Sequence, residues 1–422
     1  MTMENKKNVP DIRFKGFTAE WSEQTLGDCA DIIGGGTPST SNKEYWDGNI
    51  DWYSPAEIGV KIFADGSQRK ITQLGLKESS AKILPIGTVL FSSRAGIGAT
   101  AILAKEGTTN QGFQSIVPHR EQLDSYFIFS RTNELKKYGE TNGAGSTFIE
   151  ISGKQMANMP IHNPEYDEQK TIGNYFQNID RLIVSSQAKL DKLKTIKKAC
   201  LEKMFPRNGS NIPEIRFKGF AEEWSKDPIG NMGNPFNGLT GKTKEDFGHG
   251  RAKFITYMNV FSNPISNLTQ TENVEIDNKQ NSVIYGDILF TVSSETPEEV
   301  GMSSVWLSNE ENVYLNSFCF GYRLYKPKYS YFMAYVLRSK YMRKKIAILA
   351  QGISRYNISK GKVMEIDLPF PKYDEQQAIG NYFRDIDKLI TLTEQKIEKL
   401  KNIKKACLDK MFVNTEDRYD TI

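Results

Sequence analysis

Two long segments of the chain carry apolar residues at the spacing of a coiled-coil helix. Residues 167–204 and 374–411 contain no proline, and their apolar positions recur in alternating steps of four and three residues. This spacing is typical of helices that pack lengthwise on another helix, and each segment would form a helix of about 57 Å. The side chains predicted to pack are Ile179, Ile183, Leu190 and Leu193 in the first helix and Ile386, Ile390, Ile397 and Leu400 in the second. The residues predicted to widen the apolar stripe are Leu182, Ile196, Leu389 and Ile403.

The regions that precede the two helices have a different pattern. Residues 23–160 and 226–370 contain short apolar runs of strand type, separated by Gly, Pro and Asn. The predicted strands are Thr88–Ser92, Gln114–Val117, Asp287–Thr291 and Cys319–Leu324, and the one helix predicted in each region lies near Ser125–Tyr138 or Tyr329–Leu349. The predicted fold class is therefore α/β, of the α+β kind, with one mixed α/β domain before each long helix.

The chain contains an internal duplication. Residues 10–22 return as 213–225, and residues 166–205 return as 373–412 with 26 of 40 positions identical. The predicted boundaries are 1–162 for the first domain, 163–206 for its helix, 207–371 for the second domain, 372–413 for its helix and 414–422 for a tail. Two helices of equal length and register most simply form an antiparallel coiled coil, which would relate the domains by an approximate two-fold axis. Homo-oligomerisation through the helices is the alternative.

Composition excludes few classes of partner. The chain has 55 Lys and Arg against 51 Asp and Glu, and this net charge of +4 permits a polyanionic partner without requiring one. Its four cysteines lie far apart, and no stretch approaches the roughly 18 apolar residues of a membrane helix. We therefore expect a reduced, cytoplasmic protein.

Sequence motifs for catalysis are incomplete. An adenine methyltransferase needs two consecutive prolines in its Asn-Pro-Pro-aromatic motif, whereas the nearest segments, 163–166 and 234–236, have one. Residues 238–243 look like the end of a phosphate-binding loop but lack the glycine that should precede them. The three histidines are too scattered for a metal site. We therefore predict no catalytic residue, no metal and no cofactor bound by this chain.

The order of the repeated motifs resembles one protein family. Each long helix opens with Pro-x-Tyr-Asp-Glu-Gln and then Ile-Gly-Asn-Tyr-Phe, and Arg13 and Arg216 each begin an Arg-Phe-Lys-Gly-Phe motif. This arrangement resembles the specificity subunit of type I restriction-modification systems. The resemblance implies two tandem target-recognition domains, each reading one half of a split double-stranded DNA sequence, and a helical spacer that docks two methyltransferase subunits. Restriction subunits would complete the complex, and S-adenosylmethionine, ATP and Mg would be bound by these partners. A coiled-coil protein–protein adaptor without DNA specificity is the alternative.

The residues expected to contact DNA are polar, basic or aromatic and lie between the predicted strands and helices. Basic side chains suit phosphates and guanine, and amides suit adenine. The candidates are Tyr45, Trp46, Arg94, Asn110, Gln111 and Thr147 in the first domain and Lys242, Lys244, Arg251, Lys253 and Arg355 in the second. For each of them a competing interpretation is equally open, with the aromatic residues in the core and the charges on a solvated surface.

Overall fold

The computed structural model describes residues 8–94, 96–145, 149–207 and 210–413 of the chain. The chain divides into two compact units: unit 1 comprises Met1–Ser186 and Lys396–Ile422, and unit 2 comprises Gln187–Gln395. Each unit is a mixed α/β structure, as predicted, and each includes parts of both long helices. Among the described residues, no helix is long and apolar enough to cross a membrane.

Unit 1 is built on a five-stranded, a three-stranded and a two-stranded sheet. Its strands are β1 (Ser22–Thr25), β2 (Ala30–Gly34), β3 (Trp46–Tyr53), β4 (Phe63–Ala64), β5 (Arg69–Ile71), β6 (Val89–Phe91), β7 (Thr100–Leu103), β8 (Thr108–Thr109), β9 (Gln114–Pro118) and β10 (Pro160–Asn163). Its helices are α1 (Leu26–Cys29), α2 (Gln73–Lys77), α3 (Ser125–Ser130), α4 (Thr132–Asn142), α5 (Gly153–Ala157) and the first part of α6 (Tyr166–Lys203). The strand orders are β2-β9-β6-β7-β4, β5-β3-β8 and β1-β10.

Unit 2 has the same kinds of sheet and one further strand pair. Its strands are β11 (Ser225–Pro228), β12 (Gly233–Asn237), β13 (Phe247–Ile255), β14 (Ile265–Ser266), β15 (Thr271–Val274), β16 (Ile288–Thr291), β17 (Ser293–Ser294), β18 (Ser303–Trp306), β19 (Val313–Leu315), β20 (Cys319–Leu324), β21 (Tyr356–Asn357) and β22 (Asp367–Phe370). Its helices are α7 (Ile229–Met232), α8 (Tyr257–Ser262), α9 (Ser330–Val336), α10 (Lys340–Ile348), α11 (Lys360–Met364) and most of α12 (Tyr373–Lys410). The strand orders are β12-β20-β16-β18-β14, β15-β13-β19, β11-β22 and β17-β21.

The two units share one topology although their domain sequences differ. In both five-stranded sheets the last strand of the order pairs parallel with its neighbour, and the other pairs are antiparallel. In both three-stranded sheets the central strand has a register shift, between Trp46 and Ile50 in β3 and between Phe247 and Ala252 in β13. A β-bulge at the same place in both copies is a regular feature of the fold rather than a local irregularity. The duplication therefore includes the domains as well as the helices.

The predicted strands correspond to β6, β9, β16 and β20. The prediction of a single helix in each domain is wrong, because each segment forms two helices. Arg131 separates α3 from α4, and the Ser339 hydroxyl accepts a bond from the Met342 N–H at the start of α10. A side chain that caps the backbone in this way marks the start of a new helix.

The long helices α6 and α12 are confirmed, at 38 residues each. In unit 1 the Tyr175 hydroxyl lies 3.3 Å from Cys407 Sγ, and Lys404 Nζ donates to Asp180 at 2.6 Å. The equivalent contacts of unit 2 join Tyr382 to Cys200 at 3.4 Å and Lys197 to Asp387 at 2.5 Å. Within each unit the partner's number falls as the residue number rises, so the two helix segments run antiparallel.

The seam between the helices is narrower than the apolar pattern predicts. Ile179, Leu190, Ile386 and Ile397 are buried, and Ile183, Leu193, Ile390 and Leu400 are partly buried. The predicted widening of the stripe is wrong for three residues: Leu182, Leu389 and Ile403 are 44%, 43% and 37% exposed. Ile196 is partly buried. An antiparallel pair buries one stripe of each helix, and these three side chains lie outside it.

The two Arg-Phe-Lys-Gly-Phe motifs, which we term the opening motifs, connect the start of one long helix to the end of the other. In unit 1 the Arg13 guanidinium donates to both carboxylate oxygens of Glu168, at 2.6 Å each. The neighbouring Ile12 N–H donates to the carbonyl of Lys410 at 2.9 Å. The equivalent bonds of unit 2 run from Arg216 to Glu375 at 2.6 and 2.7 Å and from Ile215 to Lys203 at 3.0 Å. Both opening motifs are therefore structural clamps.

The residues just beyond the end of each long helix complete the core of a unit. In unit 1 the Phe412 ring stacks on Phe176 with centroids 5.8 Å apart, among a core that includes Trp21 and Phe127. In unit 2 the Phe205 ring stacks on Phe383, also at 5.8 Å, among a core that includes Trp224 and Phe332. The residues that follow α12 therefore belong to the core of unit 1, and those that follow α6 belong to the core of unit 2.

Candidate nucleic-acid interface

Several loops meet at one end of the five-stranded sheet in each unit. In unit 1 the end of β2, the start of β9 and the end of β6 are neighbours, because these strands pair antiparallel in that order. The Gly36 N–H donates to Thr109 and the Ser93 N–H donates to Gly112, both at 2.8 Å. The equivalent bonds of unit 2 run from Leu239 to Leu315 at 2.8 Å and from Val292 to Phe318 at 2.9 Å.

A hairpin joins these loops in both units. Its two ends pair at Ala144 and Glu150 in unit 1 and at Gln351 and Asn357 in unit 2. The next residue, Ile151 or Ile358, donates its N–H to Ser93 at 3.1 Å or to Val292 at 3.0 Å. We term this set of segments the loop cluster of each unit. Its described members are residues 34–37, 92–94, 110–113, 144–145 and 149–150 in unit 1 and 237–240, 291–294, 316–319 and 351–357 in unit 2.

Asn110 and Gln111 lie in the loop cluster of unit 1, and their side-chain oxygens are engaged there. The Asn110 Oδ1 accepts a bond from the Gly112 N–H at 2.8 Å, and the Gln111 Oε1 accepts one from the Thr37 hydroxyl. A bidentate contact to adenine uses the amide oxygen and nitrogen together. Such a contact would have to compete with these bonds, whereas the amide nitrogens suit acceptors such as phosphate or guanine oxygens.

Arg94 also lies in this cluster, beside the hairpin. Its guanidinium is 3.7 Å from the Glu150 carboxylate, and both side chains are partly exposed. An exposed ion pair of this length is weak, so Arg94 can exchange the carboxylate for a phosphate at little cost. Thr147, which belongs to the hairpin in sequence, lies outside the described residues.

The aromatic candidates Tyr45 and Trp46 lie elsewhere, beside the three-stranded sheet of unit 1. Tyr45 is exposed in part, but Trp46 is buried, and its indole N–H donates to the Ser39 carbonyl at 3.1 Å. The Trp52 ring meets it edge-on at 5.1 Å, and the Arg69 guanidinium covers its face at 3.6 Å. The prediction of a DNA contact for Trp46 is therefore corrected: this side chain packs in the interior.

Of the five basic candidates in unit 2, Arg355 lies in the loop cluster, on the hairpin, and is exposed. Lys242 is tied to Asp277 at 2.9 Å; this hydrogen bond raises the pKa of Lys242 and lowers the pKa of Asp277 to about 2. Lys253 lies 3.3 Å from Glu310. Lys244 and Arg251 are exposed and lie at or near β13. The other four basic candidates therefore lie on or beside the three-stranded sheet, outside the loop cluster: Lys242, Lys244, Arg251 and Lys253.

The structure adds three residues to the loop cluster of unit 2 that the sequence did not single out. Asn316 forms the same turn as Asn110, because its Oδ1 accepts a bond from the Phe318 N–H at 2.8 Å. The turn leaves the Phe318 ring exposed, and Ile353 at the hairpin is exposed as well. Residues 110–113 (Asn-Gln-Gly-Phe) and 316–319 (Asn-Ser-Phe-Cys) lead into the equivalent strands β9 and β20, so the sequence alone could have indicated Phe318. No sequence pattern marked Ile353.

The loop clusters have the chemistry of a contact surface. They present amide and guanidinium donors together with exposed apolar side chains. Within the described ranges, no three His, Cys, Asp or Glu side chains converge in a way that could hold a metal ion. Donors of this kind on loops that project from a rigid sheet suit phosphates and base edges.

The match to a known family follows the duplication. A family model described as "Type I restriction modification DNA specificity domain" matches the chain twice, at residues 18–195 and 221–402. The chain belongs to this family. Each match begins near an opening motif and ends within a long helix, so the repeat recognised in the sequence is the repeat of the family, and the resemblance noted from the motifs is confirmed.

Relatives with curated names are specificity subunits of type I restriction enzymes. The MjaIX specificity subunit of Methanocaldococcus jannaschii is 34% identical over 180 residues, 42% of each chain. The MjaVIII specificity subunit of the same organism is 22% identical over 433 residues, which cover 96% of this chain and 94% of that protein. The first alignment thus spans less than half of the relative, whereas the second spans nearly all of it.

A solved structure shows that the fold is shared. The S subunit of a type I restriction-modification system from M. genitalium superposes with a TM-score of 0.58 over 96% of this chain and 100% of that chain. Sequence identity in that comparison is 15%. The tandem arrangement of mixed α/β domains with long helices is therefore a property of the fold.

Proposed function

We propose that this chain is the DNA-reading subunit of a cytoplasmic type I restriction-modification complex and catalyses no reaction itself. Each unit would read one half of a split target in double-stranded DNA. One observation carries this proposal: the same loop cluster is built twice on the same sheet topology, with different side chains exposed in each copy. A duplicated scaffold with two different surfaces suits two different half-sites.

The side chains of the two clusters suit different base pairs. Unit 1 offers the amides of Asn110 and Gln111 together with Arg94. Unit 2 offers Arg355 together with the apolar side chains of Phe318 and Ile353. In the major groove each base pair presents its own pattern of donors, acceptors and methyl groups. Two clusters that differ in hydrogen-bonding and apolar groups would therefore prefer different half-sites.

Mapping of methylated bases tests this function. In a host that carries the chain with its partner subunits, we expect one bipartite motif, with an adenine methylated in each half and on opposite strands. A matched host that lacks only this chain should show no methylation at that motif. A single continuous motif, or methylation that persists without the chain, would contradict the proposal. A protein adaptor without DNA specificity would likewise give no motif that depends on the chain.

Partner subunits are proposed to dock on the exposed faces of the long helices. Leu182 of α6 and Leu389 of α12 are equivalent positions of the repeat, and they are 44% and 43% exposed. Exposed apolar residues that recur at the same place in both copies are typical of an interaction surface. Two equivalent positions suit two methyltransferase subunits, with restriction subunits completing the complex. S-adenosylmethionine, ATP and Mg would be bound by these partners.

Replacing each leucine with a charged residue is expected to prevent the binding of one methyltransferase subunit. Leu182→Asp or Leu389→Asp alone should reduce the ratio of methyltransferase to this chain from two to one, and the double variant should abolish binding, because an unpaired carboxylate is costly to bury. Mass photometry of the reconstituted complex measures the ratio. Val184→Asp is the matched control, since Val184 is exposed on the same helix but its repeat equivalent is a threonine. An unchanged ratio in the double variant would refute this docking surface.

A further inference from the structure

The hairpin of unit 2 is a fixed structure with an exposed tip. Gln351 and Asn357 exchange two backbone hydrogen bonds, at 2.9 Å each, and β21 pairs with β17 on its other side. The following residue, Ile358, is buried. Gly352 has a φ of +140°, and a Cβ there would lie 2.0 Å from the Arg355 carbonyl oxygen, so the turn requires glycine. The backbone conformation of this turn is therefore constrained by the fold.

The paired ends of this hairpin also occur in unit 1, with a different sequence between them. Ala144 and Glu150 exchange the same two bonds at 2.9 Å, and Gly145 has a φ of +115°. The segment 145–149 reads Gly-Ser-Thr-Phe-Ile, whereas 352–356 reads Gly-Ile-Ser-Arg-Tyr. The glycine is kept and the tip is changed. Residues 146–148 lie outside the described residues, so the geometry of the tip is described for unit 2.

The difference in sequence between residues 145–149 and 352–356 favours DNA over a protein as the molecule that these segments contact. A surface that docks the same partner twice should be alike in both copies, as the long helices are, with 26 of 40 positions identical. A surface that reads two different half-sites must differ. The exposed Arg355 adds a cation to the tip of unit 2, which suits the phosphate backbone.

Ile353 is the most informative residue of this tip. Its side chain is 97% exposed although the hairpin beneath it is fixed. It has no donor or acceptor, so it cannot read a base by hydrogen bonding. The apolar group that base pairs present in the major groove is the 5-methyl of thymine.

We infer that Ile353 is a specificity-determining residue that contacts the 5-methyl group of a thymine in the half-site read by unit 2. The inference rests on the proposed function, since it assigns one contact within the DNA target. It predicts that this half-site contains an A·T pair at a fixed position, in addition to the adenine that is methylated.

The test removes the methyl group from the DNA and the side chain from the protein, separately and together. The probes are duplexes carrying the mapped target, in which each thymine in turn is replaced by deoxyuridine, which lacks the methyl. Affinity is measured for the chain in complex with its methyltransferase partner at one fixed salt concentration. The protein variants are wild type, Ile353→Ala and Ile348→Ala. Ile348 is the matched control because it is an exposed isoleucine of the same unit outside the hairpin.

With wild-type protein, one deoxyuridine in one half-site is expected to weaken binding about fourfold, because the complex then lacks one buried methyl-sized group. Ile353→Ala should weaken binding to the thymine duplex by at least as much and should abolish the response to that one substitution. Ile348→Ala should keep the full wild-type response. All other thymines should respond alike in the three proteins.

Three results would overturn the inference. If Ile353→Ala binds all duplexes as wild type does, the tip makes no contact. If Ile353→Ala weakens binding but each deoxyuridine still changes its affinity as it changes that of wild type, the contact is not to a thymine methyl. If it loses the methyltransferase partner in the absence of DNA, the tip is a protein contact. Failure of the proposed function itself is distinct, because wild-type complex would then show no preference for a bipartite target over random duplex.

Discussion

Replacing Arg216 with alanine is expected to lower the free energy of unfolding of unit 2 by about 3–5 kcal/mol. The arginine donates two bonds to Glu375, whose side chain is 2% exposed. Without Arg216 the carboxylate would stay buried with an uncompensated charge, and this is far more costly than losing an exposed ion pair. The hydrogen bond to Glu375 also raises the pKa of Arg216, so the arginine keeps its charge at any ordinary pH.

Urea unfolding of unit 2 measures this effect against a control from the same motif. Lys218 is exposed two residues further along, and Lys218→Ala should change the free energy of unfolding by less than about 0.5 kcal/mol. Adding Glu375→Gln to Arg216→Ala should recover part of the loss, because the buried group is then neutral. Equal urea midpoints for Arg216→Ala and Lys218→Ala would show that the clamp contributes nothing to stability.

Truncating Phe205 to alanine is the second change with a large expected effect, a loss of about 3–5 kcal/mol from the stability of unit 2. The ring is 1% exposed, stacks on Phe383 at 5.8 Å and meets Trp224 edge-on at 6.1 Å. Its removal would leave a cavity lined by aromatic rings that cannot collapse without moving the ends of both helices. Truncation combines the lost transfer energy with the cost of that cavity.

Phe412 provides a matched comparison, because it is the repeat equivalent of Phe205. Its ring stacks on Phe176 at 5.8 Å but is only partly buried. Phe412→Ala should therefore destabilise unit 1 less than Phe205→Ala destabilises unit 2, as measured by denaturant unfolding followed by aromatic fluorescence. A larger loss for Phe412→Ala would mean that side-chain burial does not govern the contribution of these two rings to stability.

The long helices were predictable because their pattern is local. Apolar residues at 3.5-residue spacing, without proline, define both α6 and α12 to within a residue or two. The same pattern overestimated the seam, since Leu182 and Leu389 are apolar but exposed. Periodicity marks an apolar face, but it does not say which part of that face meets the other helix and which part faces outward.

The candidate DNA contacts show that residue type and neighbouring sequence do not predict whether a side chain is exposed. Arg94, Asn110, Gln111 and Arg355 do lie in the loop clusters, at positions set by the strands that flank them. Trp46 does not, because its ring fills the interior beside Trp52. An aromatic residue next to a polar loop has the same sequence pattern in either place. Burial is decided by contacts with residues distant in the chain.

The sequence by itself determined the duplication, the two helices, the mixed α/β class and the family, because repeats, periodicity and motif order are properties of the chain read in one dimension. Only the tertiary structure decided that the divergent domains share one topology, that Arg13 and Arg216 are clamps, and that Ile353 stands exposed on a fixed hairpin. These features depend on strand pairing and on ion pairs between residues more than 150 positions apart, such as Arg13 and Glu168 at a separation of 155. Such pairings produce no periodic pattern in a single sequence. Neither partner can therefore be identified before the folded structure shows which residues are in contact.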